Sequence, residues 1–168
     1  MYSVNAAVPG RVSALAADLR PALSPFASIR REHSILIKRL GDTATFQRQS
    51  KRIQREIAGT QPIDVTVTGI EYFADPPRGP GPVVYLALDS PGLDRLHGRL
   101  VEAFGAETAL EGEAYTMHIT LARDGPLEAA ERLADRSIES VSWTITELLL
   151  WDAAQARAVG TISLPVPP

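Results

Sequence analysis

The sequence predicts an α+β fold of two lobes whose antiparallel sheets face each other across a central cleft. Strand-like and helix-like segments alternate in the order β-α-β-α-β and then β-α-β-α-β-β, so the two halves resemble β-α-β repeats of each other. Two short stretches support the repeat: His33-Ser34-Ile35-Leu36-Ile37-Lys38 and His118-Ile119-Thr120-Leu121-Ala122-Arg123. Each has a histidine before an apolar run, a leucine three residues later and a basic residue five residues later.

The chain has 168 residues and no cysteine. This length suits one domain, and we expect a single bilobal domain over residues 1–168. Its approximate halves, 1–73 and 83–168, are predicted to be joined by the loop 74–82, because that loop is rich in proline and glycine. The lack of cysteine excludes disulfides and thiolate nucleophiles.

Five elements are predicted in the first half. They are a strand over 2–8, a helix over 11–23, a strand over 34–40, a helix over 43–58 and a strand over 63–73. Apolar residues at helical spacing, such as Val12, Leu15 and Leu19, indicate the first helix. Asp42 or Thr43 is expected to cap the second helix. The last strand alternates apolar and polar residues, which is typical of a half-buried strand.

Six elements are predicted in the second half. They are a strand over 83–88, a helix ending at 104, strands over 118–122, 140–151 and 158–164, and a helix over 126–134. Ser90 and Pro91 suit the N-cap and the first turn of the earlier helix. In that helix His97 is expected to be exposed, because the leucines around it form the buried stripe. Trp143 and Trp151 are expected in the core.

Two histidines that meet in one cleft would supply a general acid and a general base. His33 and His118 head the two repeated stretches. Because side chains alternate along a strand, His118 and Thr120 are expected on the same face. Arg123 has the opposite parity but lies at the strand end, where the chain can turn it back. Neither histidine has a partner at metal-ligand spacing, so no metal site is predicted.

The stretch His118-Ile119-Thr120-Leu121 resembles the H-x-T-L motif of the two-histidine phosphoesterases, the superfamily that includes 2′-5′ RNA ligases and RNA 2′,3′-cyclic phosphodiesterases. The likeness covers nearly the whole chain in the family's order. It implies a bilobal, pseudo-symmetric fold in which His33 and His118 are the catalytic pair and Thr120 holds a phosphate oxygen. It also implies opening of 2′,3′-cyclic phosphate ends of RNA or oligonucleotides to 2′-phosphates without metal or cofactor, and reverse 2′-5′ ligation.

The first copy departs from this pattern, because Ile35 stands where the second hydroxyl is expected. Three interpretations remain open at this point. A bulge near Ser34 brings its hydroxyl round, basic side chains such as Arg30, Arg31 or Lys38 replace the hydroxyl, or the site is degenerate. The predicted substrate-binding residues are each expected to lie near one of the two histidines. They are Thr120, Arg123, Lys38, Arg30 and Tyr115.

Two other functions fit the sequence. One is a cyclic phosphodiesterase acting on a small nucleotide such as ADP-ribose 1″,2″-cyclic phosphate, and the other is a non-catalytic module that binds RNA ends. Residues 1–60 carry ten lysines and arginines against four acids, and the remainder carries seven against sixteen. That basic region suits either a polyanion such as RNA or a solvated surface. No long apolar run is present, and we expect a cytoplasmic monomer that does not bind membranes.

Overall fold

The computed structural model describes residues 1–41 and 45–168, which form two antiparallel sheets with helices packed against them. The strands are β1 Tyr2–Ala7, β2 Ser28–Ile29, β3 Ser34–Gly41, β4 Ile63–Phe73, β5 Val83–Asp89, β6 His118–Arg123, β7 Val141–Ile145, β8 Glu147–Asp152 and β9 Arg157–Ser163. The helices are α1 Gly10–Leu19, α2 Phe46–Glu56, α3 Pro91–Phe104 and α4 Leu127–Ala134, and short 3₁₀ turns cover Arg20–Leu23 and Gly112–Ala114. The predicted caps Asp42 and Thr43 lie outside the described residues.

The two sheets repeat one arrangement. The first has the strand order β3-β1-β8-β9, and the second has the order β2-β6-β5-β4-β7. Strands β3, β1, β8 and β9 therefore correspond to β6, β5, β4 and β7, with β2 added at the edge of the second sheet. The predicted α+β class with two antiparallel, pseudo-symmetric sheets is confirmed.

The predicted division into halves 1–73 and 83–168 does not follow the sheets. Strand β4 pairs with β5 inside the second sheet, so the loop 74–82 is a hairpin connection and not a link between lobes. Strands β8 and β9 return from the end of the chain to the first sheet, where β8 pairs with β1. Each sheet thus needs strands from both halves, and local sequence patterns do not report which strands become partners.

Local sequence signals explain most element boundaries. The Ser90 hydroxyl accepts a hydrogen bond from the Leu93 amide at 3.2 Å, and Pro91 occupies the first turn of α3, as predicted. The predicted helix over 11–23 ends at Leu19 and continues as a 3₁₀ turn that contains Pro21. The predicted strand over 140–151 is broken at Thr146, where the chain leaves the second sheet for the first.

The helices cover one face of each sheet. They bury apolar residues against it, as Leu93, Leu96 and Leu100 of α3 show. Each such side chain contributes about 1.5–3 kcal/mol to folding. Within the described ranges, no helix is long and apolar enough to cross a bilayer.

Candidate active site

A cleft of ≈ 760 Å³ opens between the two sheets. One wall comes from β1, β3 and β8, and the other comes from β6 together with Phe73 and Pro77. Most of the site residues predicted from the sequence line it. They are His33, His118, Thr120, Arg123, Arg30 and Tyr115.

A β-bulge gives β6 its functional face. Thr120 pairs with Tyr85, and Ala122 pairs with Val84, the neighbour of Tyr85 on β5. Leu121 has no partner on β5 and is therefore the extra residue of the bulge. A bulge reverses the alternation of side chains beyond it. His118, Thr120 and Arg123 therefore all line the cleft, although their spacing in a regular strand would turn Arg123 away.

Strand β3 contains a β-bulge of the same kind. Leu36 pairs with Asn5 and Lys38 pairs with Val4, so Ile37 is the bulged residue. The cleft then receives Ser34, Leu36 and Arg39.

When the two bulges are aligned, Ser34, Leu36 and Arg39 of β3 correspond to His118, Thr120 and Arg123 of β6. Ser34 pairs with Ala7 as His118 pairs with Ala87. His33 precedes its strand, one residue before the position equivalent to His118. The two histidine motifs are thus out of step by one residue.

This register explains the unusual first motif. Ile35 lies in the core with no exposed surface. Ser34 is the first residue of β3, and its side chain points into the cleft. The bulge at Ile37 lies later in the strand, so it does not change the direction of the Ser34 side chain. Its hydroxyl oxygen accepts a hydrogen bond from the Asn5 amide at 3.3 Å, and the Ser3 hydroxyl donates to the Asn5 carbonyl oxygen at 2.7 Å. A line of polar groups therefore covers the floor of the cleft on this side.

His118 is held in a defined orientation. Its Nδ1 lies 2.6 Å from the carbonyl oxygen of Thr116 and donates to it, which leaves Nε2 without a hydrogen-bond partner among the described residues. The ring packs edge-on against Phe73 at 5.3 Å between centroids, and against Tyr85 at 5.1 Å. Burial lowers the pKa of His118; the bond to Thr116 opposes this shift, and the cations Arg39 and Arg123 add to it.

His33 has a more open setting at the mouth of β3. It is partly exposed. Because His33 precedes β3, the direction of its ring is not fixed by the alternation of side chains along the strand. Burial lowers the pKa of His33, and the nearby Arg20 and Arg30 lower it further. Both candidate catalytic imidazoles therefore favour the neutral form more than a free histidine does.

Lys38, predicted to bind substrate, does not reach the cleft. Its side chain is 2% exposed, and its Nζ forms an ion pair of 2.6 Å with Glu111. The bulge at Ile37 places Lys38 inside and presents Arg39 to the cleft instead. Sequence reasoning missed Arg39, although the adjacent basic pair at the end of an apolar run was the available signal.

Arg123 reaches the cleft with an unused donor. Its Nη1 donates to the carbonyl oxygen of Arg78 at 3.2 Å, while its buried Nε has no hydrogen-bond partner among the described residues. Gly79 lies against the guanidinium with φ +71°, and a Cβ there would collide with Nη1. The 74–82 loop thus packs on Arg123, and its contact with the Arg78 carbonyl uses one of the five guanidinium N–H donors.

Tyr115, which lines the cleft, stacks on the buried ring of His97. The rings lie 3.7 Å apart between centroids, and the Tyr115 hydroxyl donates to the Leu36 carbonyl at 3.0 Å. Burial raises the pKa of Tyr115. The prediction that His97 is exposed is wrong: it is 4% exposed. Its Nε2 accepts from the Gly112 amide, so its Nδ1 donates to the carbonyl of the bulged Ile37 at 2.8 Å.

Trp151 was expected in the core but lines the cleft with Leu149. The alternation along β8 explains this, because Leu148 and Leu150 are the buried residues. Trp143 is partly buried on β7, away from the cleft lining. In residues 1–41 and 45–168, no three His, Asp or Glu side chains are grouped to hold a metal ion.

Comparison with known proteins identifies the family of this chain. A family model described as the 2′-5′ RNA ligase superfamily matches residues 4–157. No curated protein sequence matches the chain. Among solved structures, TT0787 of Thermus thermophilus is similar with a TM-score of 0.67 and 17% identity, covering 97% of each chain.

LigT of E. coli is also similar. Its structure in complex with 3′-AMP gives a TM-score of 0.63 at 15% identity, with 97% of this chain and 96% of that chain covered. Its structure in complex with ATP gives a TM-score of 0.67 at 16% identity, with the same coverage. At these identities the likeness to solved structures shows the fold alone.

Proposed function

Because the chain belongs to the 2′-5′ RNA ligase superfamily, we propose that it opens 2′,3′-cyclic phosphate ends of RNA or oligonucleotides to 2′-phosphates. The observation that carries the proposal is the cleft itself. His118, with Nδ1 engaged and Nε2 free of protein partners among the described residues, shares that cleft with Thr120, Arg123 and His33. Two imidazoles beside hydroxyl and guanidinium donors match the needs of phosphodiester hydrolysis without a metal.

In the proposed reaction a water oxygen attacks phosphorus and the P–O3′ bond breaks. One neutral imidazole takes the proton of the water, and one protonated imidazole gives a proton to the departing 3′ oxygen. The products are a 2′-phosphomonoester and a 3′-hydroxyl. With a 5′-hydroxyl in the place of water, the same transfers form a 2′-5′ phosphodiester.

We assign the base to His118, because the hydrogen bond from its Nδ1 to the Thr116 carbonyl fixes the neutral tautomer in which Nε2 carries the lone pair that accepts a proton. His33 is then the acid, and the anionic phosphate of a bound substrate would favour its protonated form. Thr120 would donate its hydroxyl to a phosphate oxygen, and the guanidinium of Arg123 would donate to another. Both interactions strengthen as charge develops on the phosphorane-like transition state.

The cleft extends from His118 to strand β8. Trp151 and Leu149 form an apolar surface on β8 on which a nucleobase would stack. A nucleotide ligand is also supported by the solved complexes of E. coli LigT with 3′-AMP, with ATP and with NADP⁺.

The test is steady-state hydrolysis of a 2′,3′-cyclic mononucleotide and of an RNA oligonucleotide with a 2′,3′-cyclic phosphate end, both in EDTA. We expect His118→Ala and His33→Ala each to lower kcat/KM by about 10²–10⁴-fold. Arg31→Ala serves as the control, because Arg31 is exposed and outside the cleft lining. Wild-type activity that vanishes with chelator would contradict the metal-free mechanism, and full activity of His33→Ala would remove His33 from it.

Activity on ADP-ribose 1″,2″-cyclic phosphate with none on RNA ends would favour the small-nucleotide alternative. A specific observation favours a further candidate, a non-catalytic module for RNA ends. Ser34 and Leu36 occupy the positions equivalent to His118 and Thr120, so the first half of the site lacks the chemistry of the second. Salt-dependent binding of cyclic-phosphate RNA without any turnover by the wild type would support that candidate.

A further inference from the structure

We propose that Arg39 is the second phosphate-binding residue of the cleft, acting with Arg123, and that Glu107 and Glu111 hold it in place. The inference rests on the proposed function and names the group that takes up phosphate charge on the side where the hydroxyl is missing. Neither the H-x-T pattern nor the sequence copies point to Arg39, because those copies align Lys38 with Arg123.

The backbone pairing carries the first step of the argument. Arg39 pairs with Ser3, and Arg123 pairs with Val83, in each case two residues beyond the bulged residue. The two arginines therefore hold equivalent positions on the two strands, and both line the cleft. Both guanidiniums also lie near enough to His118 to lower its pKa. Both therefore share the cleft with the ring that is proposed to act on the phosphate.

The surrounding charges leave Arg39 with capacity for an anion. Glu111 is paired with Lys38 at 2.6 Å, and Glu107 is paired with Arg78. Arg39 makes only longer contacts to these carboxylates, 3.4 Å from Nε to Glu107 and 3.9 Å from Nη1 to Glu111. Three cations against two carboxylates leave one net positive charge at the edge of the cleft, where a phosphate would neutralise it.

The same carboxylates fix the position of Arg39. Glu111 is fully buried and accepts hydrogen bonds from the Arg39 amide at 2.8 Å and from the Glu107 amide at 2.9 Å. The Arg39 side chain is 25% exposed, and the Glu107 carboxylate aligns its guanidinium. Preorganisation of this kind lowers the entropy cost of binding, and a guanidinium suits phosphate because it donates two parallel hydrogen bonds.

Leu36 explains why β3 would need Arg39 as a phosphate-binding side chain. It occupies the position equivalent to Thr120 and has no hydrogen-bond donor, so it cannot hold a phosphate oxygen as Thr120 would. Ser34 has a hydroxyl that accepts from the Asn5 amide and can still donate, but it is uncharged and lies at the position equivalent to His118, not to Thr120. Arg39 is the cationic side chain that β3 contributes to the cleft, since Lys38 is buried.

The experiment measures binding of inorganic phosphate and of 2′-AMP by calorimetry, without turnover. Arg39→Gln keeps the aliphatic stem and removes the charge, Arg39→Lys keeps the charge, and Arg31→Ala is the control. We expect Arg39→Gln to weaken phosphate binding by about tenfold or more. Arg39→Lys should recover part of this loss, because an ammonium lacks the paired donors. Thermal melts of each variant check that the fold is retained.

A second readout separates ligand binding from a structural role. Titration of the His118 ring by NMR should show a higher pKa in Arg39→Gln and a pKa close to wild type in Arg39→Lys. Unchanged phosphate binding in Arg39→Gln would overturn the inference, and so would a loss of binding with an unchanged His118 titration. A protein that binds phosphate through Arg39 and hydrolyses no cyclic phosphate would contradict the proposed function alone.

Discussion

The buried pair of Lys38 and Glu111 gives the sharpest stability prediction. Lys38→Met removes the ammonium and keeps a side chain of similar length, which leaves the Glu111 carboxylate without its cation. Removing one partner of a buried pair costs about 3–5 kcal/mol. Glu111 keeps two backbone donors, the amides of Arg39 and Glu107, so the lower end applies. We expect the free energy of unfolding at pH 7 to fall by about 3 kcal/mol.

Urea denaturation followed by circular dichroism measures this loss, and Arg78→Ala provides a matched comparison. Arg78 is 60% exposed in its pair with Glu107, so its removal should cost only about 0–1 kcal/mol. The pH dependence has a definite sign. Burial would raise the pKa of Glu111, but hydrogen bonds from Lys38 and from the amides of Arg39 and Glu107 lower it below its ordinary 4.5. The stabilisation is therefore present above pH 4.5 and is lost as the pH falls through the lower folded-state pKa.

This prediction also decides between two roles of Lys38. A structural role requires that folded Lys38→Met lose no more than about tenfold in kcat/KM, the size of the loss in phosphate binding expected for Arg39→Gln, because Lys38 lies outside the cleft lining and acts on the site only through Glu111 and Arg39. If the variant is as stable as wild type at pH 7 but loses about 10²-fold in kcat/KM, the structural interpretation is refuted. Lys38 would then bind substrate, as its place in the repeated sequence pattern predicted.

Three further predictions concern catalysis. Thr120→Val removes one hydroxyl at nearly constant volume and should lower kcat/KM by about 10²-fold in a cyclic mononucleotide assay; a wild-type rate would exclude Thr120 from phosphate binding. The pH profile of kcat/KM should be bell-shaped with its optimum below 6.5, because the pKa values of both His33 and His118 are lowered from 6.5; an optimum above about pH 7 would contradict the acid–base pair. Trp151→Ala should raise KM about tenfold with little change in kcat, because base stacking contributes to ground-state binding; an unchanged KM would place the base elsewhere.

Regular elements were predicted well from local sequence. The alternating segment that forms β4 has the predicted bounds, Ile63–Phe73. The Ser90 cap and Pro91 also begin α3 as expected. These features depend on neighbouring residues, so their signals lie within a few positions of each other in the chain.

The remaining features depend on distant partners. The bulges at Ile37 and Leu121 come from pairing with β1 and β5, and no local pattern reports them. Lys38 looked like a substrate ligand because its partner, Glu111, lies far along the sequence. The exchange of strands between sheets was missed for the same reason, since periodicity tells which face of a strand is buried and not which strand lies beside it.

One measurement tests the central claim most directly. Wild-type protein is incubated in EDTA and ¹⁸O-labelled water with adenosine 2′,3′-cyclic phosphate, and the product is identified by ³¹P NMR and mass spectrometry. The account predicts complete conversion to the 2′-phosphomonoester with one solvent oxygen on phosphorus, and no conversion by His118→Ala. A 3′-phosphate product, or equal conversion by His118→Ala, would contradict it.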